Sequence, residues 1–146
     1  MKILKNNKFL GMLVFLLISS ISISGQYKDA LISRMSDFRN SVFANVDEGN
    51  DFQQKEALRK TEEEWDKELN IVYQKIMKVA DAVTKNKLRN AQRAWIKFRD
   101  SEVEKSYYTN NPNAGSIGIL FSLNTAAKLT EERAVQLAEM YDALDK

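Results

Sequence analysis

One apolar stripe constrains this chain more than any other feature. Leu58, Trp65, Leu69, Val72, Ile76, Val79 and Val83 fall in a narrow band when placed at ~100° per residue. A stripe of that length needs a partner surface, because an amphipathic helix draws most of its stability from packing rather than from propensity. The spacing predicts a helix over about 52–83. The seven-residue recurrence predicts near-antiparallel packing on a neighbour.

The rest of the chain supplies those neighbours. Gly is scarce at 5 and Pro at 1 in 146 residues, which suits long helices with few turns. Leu31, Met35, Phe38 and Val42 predict a first helix over about 27–44, closed by the turn formers of 45–51. Thr84 to Asn86 reads as a short polar break. A third helix over about 87–107 presents Leu88, Ala91, Trp95, Phe98 and Val103 inward. The run NNPNAG at 110–115 follows, and Pro112 ends any helix before it. The last part reads as broken: a segment over 117–127, then Thr130 as an N-cap with Glu131 and Glu132 in the first turn of a helix reaching Leu144. The expectation is an all-α fold, a small bundle of about four helices built on a long antiparallel helical hairpin. The length allows one domain, over 26–146.

Residues 1–25 carry the three parts of a secretory signal. Lys2, Lys5 and Lys8 precede the apolar run Phe9 to Ile18, and small residues follow to Gly25. The run is too short to span a bilayer comfortably. The expected protein is therefore exported, periplasmic or extracellular, and off the membrane once the signal is cleaved. Its loss removes three of the 22 basic residues and none of the 20 acidic ones, so the net charge moves from +2 to −1. Nucleic acid loses its main electrostatic support as a partner. There is no Cys and no His. No disulfide and no lipidated cysteine can form, and the commonest general base and metal ligand are missing. No cofactor, metal site or catalytic residue is expected.

Two polar residues sit where apolar ones belong. Gln92 and Arg99 project near the centre of the third helix's stripe, where a long polar side chain must be paired or open onto a cleft. Asp66, Asn70 and Tyr73, spaced i, i+4, i+7, form a strip on the second helix that a hairpin would bring opposite them. Arg99 could then pair with Asp66 or donate to Asn70. Three readings stay open: a buried polar network fixing the helix register, the lining of a binding groove, and a carboxylate site using Asp66 with Asp100. Arg89, Arg93 and Lys97 form an i, i+4 ridge, either a solvated face or a surface for an anion. Trp65 and Trp95, inside their stripes, read as core.

The segments WDKELNIVYQKI at 65–76, AQRAWIKFRD at 91–100, GSI at 115–117 and LTEERAVQL at 129–137 resemble the LprI-type lysozyme-inhibitor N-terminal domain family. The family pattern is an Asp-x-x-Leu-Asn-x-x-Tyr helix, an Ala-Gln-x-x-Trp-x-x-x-Arg-Asp helix, a Gly-Ser turn and a closing Thr-x-x-Arg helix. Asp66, Asn70, Tyr73, Gln92, Trp95, Arg99, Asp100, Gly115, Ser116, Thr130 and Arg133 match it, over about residues 52–140. The resemblance implies an extracytoplasmic helical domain and, for at least one namesake, blockade of c-type lysozyme. Members often carry Cys just after the Arg-Asp pair and again before the Thr-x-x-Arg helix. Val103 and Thr125 stand near those positions here. The helix pairing must then rest on apolar contacts.

The expected function is that of a helical binding protein with a protein partner, c-type lysozyme being the specific candidate. Asn111, Pro112, Asn113, Gly115 and Ser116 form the candidate contact loop. The alternative is an envelope structural or interaction module with a different partner.

Overall fold

The computed structural model describes residues 25–108 and 115–145. All of the expected signal segment but Gly25, and Asn111, Pro112 and Asn113, lie outside them. Four helices make up the described chain: α1 (Gln26–Phe43), α2 (Asp51–Val79), α3 (Ala82–Tyr108) and α4 (Gly115–Leu144). The all-α class and the four-helix bundle are as the stripes predict.

Local chemistry sets the helix ends. The Asn50 side chain accepts the Gln53 N–H at 3.1 Å and starts α2. At the other end Ala80 turns extended, its N–H still bonded to the Ile76 carbonyl. Asp81 then accepts the Thr84 N–H at 2.7 Å and starts α3. The boundary therefore falls at 80–81, not at the expected 84–86, because an Asp cap outweighs the polar run after it. Val79 and Val83, read as the end of the stripe, are 46% and 63% exposed.

The second difference is in α4. No break precedes Thr130: one 30-residue helix runs through it, and Thr130 is fully buried in its middle. With no Gly or Pro between Ile119 and Leu144, nothing interrupts the helix. Thr130 faces inward on the row that also carries Ala127, Ala134, Leu137 and Ala138. The small side chains of Ala127, Thr130, Ala134 and Ala138 let α4 approach its neighbours closely.

α4 is the shared spine, packing against α1, α2 and α3. Ser116 meets Asp51 at one end, and Lys75 lies 5.2 Å from the Tyr141 ring at the other, so α2 and α4 run parallel. α1 and α3 flank this pair and run the opposite way. α2 and α3 are thus antiparallel, as expected of the hairpin, but each packs its backbone on α4 rather than on the other. The core joins Leu31 and Met35 of α1, Trp65, Leu69, Val72 and Ile76 of α2, Leu88 of α3, and Ala134, Leu137 and Ala138 of α4.

α3 is the least covered helix. Its inward row is Leu88, Gln92, Trp95 and Arg99, with Leu88 and Gln92 buried. Ala91 and Phe98, expected inward, are exposed, Phe98 at 53%. They stand about a quarter turn from that row, on a side that the described residues leave open.

Candidate functional site

Because α2 and α3 diverge over α4, a cleft of about 430 Å³ opens between them. Five of the six residues predicted as a polar network line it: Asp66, Asn70 and Tyr73 from α2, Gln92 and Arg99 from α3. Arg89, Arg93, Trp95, Leu69 and Ile96 complete the wall. Asp100, the sixth, lies outside the lining.

Arg99 makes the contacts that tie this site together. Its Nε and Nη2 donate to Asp100 Oδ1 at 3.0 and 2.8 Å, and Nη1 stands 4.0 Å from Asp66 Oδ1. Its guanidinium also lies 5.2 Å from the Trp95 ring centroid, a cation–π distance. Asn70 donates not to Arg99 but to Asp66, at 2.8 Å to the carbonyl and 3.0 Å to Oδ2. Asp66 and Asp100 therefore serve Arg99 as ion-pair partners and do not face each other across an open cleft, as glycoside chemistry by two carboxylates requires. One turn before Asp66, burial and then the Asp66 charge push the half-buried Glu62 carboxyl above its usual range, with Arg99 opposing.

Gln92 is buried and accepts a hydrogen bond from Arg133 Nε. That contact ties α3 to α4 and was not anticipated, although Arg133 closes the Thr-x-x-Arg element. Burial alone holds the Arg133 guanidinium below its ordinary value. Its other partner is the Gln136 side chain at 3.1 Å. A second unanticipated pair binds α1: Arg34 donates Nε and Nη2 to the two carboxylate oxygens of Glu68, both at 2.8 Å. Glu68 sits inside the α2 stripe, between Trp65 and Val72, and a helical projection of that stripe carries the signal that it needs a partner.

The loop end of the bundle has a different character. Ser116 donates to Asp51 Oδ2 at 2.8 Å and is bonded by Lys55, which fixes the start of α4 against the start of α2. Gly115 has φ +53°, a left-handed conformation that favours glycine. Phe52, Tyr108 and Ile117 are 76%, 56% and 53% exposed around this end. Asp47, Glu48 and Asp51, all exposed, belong to it as well.

Among the described residues no three or more His, Cys, Asp or Glu are grouped to hold a metal ion, and no helix is long and apolar enough to cross a membrane. The family model described as "Lysozyme inhibitor LprI" matches residues 44–137. No curated protein and no solved structure matches the chain.

Proposed function

The chain belongs to the LprI lysozyme-inhibitor family, and from that premise we propose that it is an exported binding protein that inhibits lysozyme without catalysing a reaction. The carrying observation is the family match, which runs from the α1–α2 turn through most of α4. The proposed contact is the loop end. Lysozyme is strongly basic, and Asp47, Glu48 and Asp51 provide opposite charge beside the exposed Phe52, Tyr108 and Ile117. An apolar centre with charged groups at its edge is the usual anatomy of a protein interface. The loop residues Asn111, Pro112 and Asn113, with Gly115 and Ser116, extend that surface in this proposal.

The test is a titration of c-type lysozyme activity with the purified protein. Inhibition that saturates near one-to-one and weakens with added salt is expected. Full lysozyme activity under a large molar excess of the protein overturns the proposal and leaves the chain as a helical module for another partner.

A further inference from the structure

The ridge of Arg89, Arg93 and Lys97 reads in sequence as either a solvated face or an anion surface. The fold separates its members: Arg89 and Arg93 line the α2–α3 cleft and Lys97 does not. Among the described residues neither arginine has a carboxylate in ion-pair reach. Arg89 donates to the Asn86 side chain at 2.7 Å, and Arg93 has no polar partner among the described residues. Arg99, by contrast, is neutralised by Asp100 and Asp66. One wall of the cleft thus carries two uncompensated guanidinium groups.

The remaining polar lining also has unused capacity. Gln92 is 8% exposed, and its only hydrogen bond among the described residues is the one its Oε1 accepts from Arg133. Its amide N–H groups have no protein partner there and are not shut off from solvent, so they are open to an acceptor in the cleft. Asn70 spends its amide nitrogen on Asp66, and its side-chain carbonyl has no partner among the described residues. Tyr73 and the half-buried Trp95, whose ring also carries the Arg99 guanidinium at 5.2 Å, line the same space. A volume of about 430 Å³ lies in the range of small-molecule sites, roughly 300–1,000 Å³.

We propose that this cleft binds a small acidic sugar, a pyranose-sized ring carrying a carboxylate or a phosphate. Arg89 and Arg93 take the anion, for which the guanidinium fork is shaped. The Gln92 amide donates to the ring oxygens, the Asn70 carbonyl and the Tyr73 hydroxyl bond the ring hydroxyls, and Trp95 covers an apolar C–H face. Positive charge here is the wrong sign for a basic protein surface. The inference is therefore independent of the lysozyme reading and survives its failure.

Isothermal titration of the purified protein with glucuronic acid, glucose 6-phosphate and glucose tests it. These three share one ring and differ in the anion. At least one acidic sugar is expected to bind about tenfold or more tightly than glucose, and the better of the two identifies carboxylate or phosphate as the group read. The Arg89→Ala/Arg93→Ala variant is expected to lose at least that factor with an unchanged melting temperature, since neither side chain supports the core. Equal binding of glucose, unchanged affinity in the double variant, or no heat with any of the three at millimolar concentration overturns the proposal. So does inorganic phosphate alone binding as tightly as the preferred acidic sugar.

Discussion

Replacing Arg34 by Met, which keeps the aliphatic stem and removes the guanidinium, isolates the contact that pins α1 to α2. Two charge-assisted bonds of 2.8 Å join it to Glu68, whose side chain is only 8% exposed, while that of Arg34 is 48% exposed. Removing one member of a fully buried pair costs about 3–5 kcal/mol, because the other charge is left without a partner. Solvent reaches half of Arg34 and screens the attraction, so about half of that applies, ~1.5–2.5 kcal/mol. For a chain of this size, at about 4 °C per kcal/mol, the melting temperature should fall by ~6–10 °C. The opposite change is not symmetric. Glu68→Leu removes the buried charge and leaves Arg34 able to turn to water, so stability should stay within about 1 kcal/mol of the parent. Urea melts followed by circular dichroism, with the double variant closing the cycle, measure all three. If Arg34→Met costs less than ~0.5 kcal/mol, or Glu68→Leu costs as much as Arg34→Met, the pair is not what holds α1.

Two further outcomes follow from single atoms. The Thr84 backbone N–H holds the Asp81 carboxyl below its ordinary value, so the cap's contribution is complete above the unfolded carboxylate value of about 3.9 and is lost as pH falls through the lower folded one. The gap in melting temperature between the parent and Asp81→Ala should therefore close on acidification, and pH-dependent melts showing a constant gap down to about pH 2 would contradict it. Thr130 is fully buried with no partner for its hydroxyl among the described residues, so Thr130→Val, of equal shape, should be neutral or stabilise by up to ~1 kcal/mol. A loss above that in chemical denaturation would mean that the hydroxyl is bonded.

How much of this the sequence carries depends on the kind of question. Hydropathy at helical spacing identifies an apolar face, so Leu31, Met35, Trp65, Leu69, Val72, Ile76, Leu88 and Leu137 are legible as core. It does not say which helix meets that face, so the parallel contact of α2 with α4 could not be read. Thr130 illustrates the ambiguity of one residue type, since a threonine before two glutamates fits an N-cap as well as a small buried position. On α3 the polar residues were better guides than the apolar ones: Gln92 and Arg99 do mark the inward row, while Phe98 and Ala91, chosen for hydrophobicity, point away. The strip Asp66, Asn70, Tyr73 and its position opposite Gln92 and Arg99 follow from spacing plus an antiparallel pair. The partners Arg133 and Arg34 do not, because each arrives from a helix remote in sequence.

The family match begins at residue 44, just past α1, and ends at Leu137, two turns before the end of α4. Both omitted pieces meet in the fold. The Asp142 carboxylate of α4 accepts the N–H groups of Tyr27 and Lys28 at 2.9 Å each, so it satisfies donors at the start of α1 that have no partner within the helix and sits at the favourable end of that helix's dipole. Tyr27 and Tyr141 stack edge to face at 5.3 Å, and Lys75 stands 5.0 and 5.2 Å from their two rings. This clasp brings Leu31 and Met35, 0% and 2% exposed, down onto Val72, Ile76 and Leu137. Without it those faces of α2 and α4 would meet water, with buried side chains costing about 1.5–3 kcal/mol each to expose. The chain has no cysteine to join its helices covalently. Closure of its core rests instead on non-covalent contacts between two segments outside the family match, α1 and the last turns of α4, together with Lys75 and Glu68 of α2.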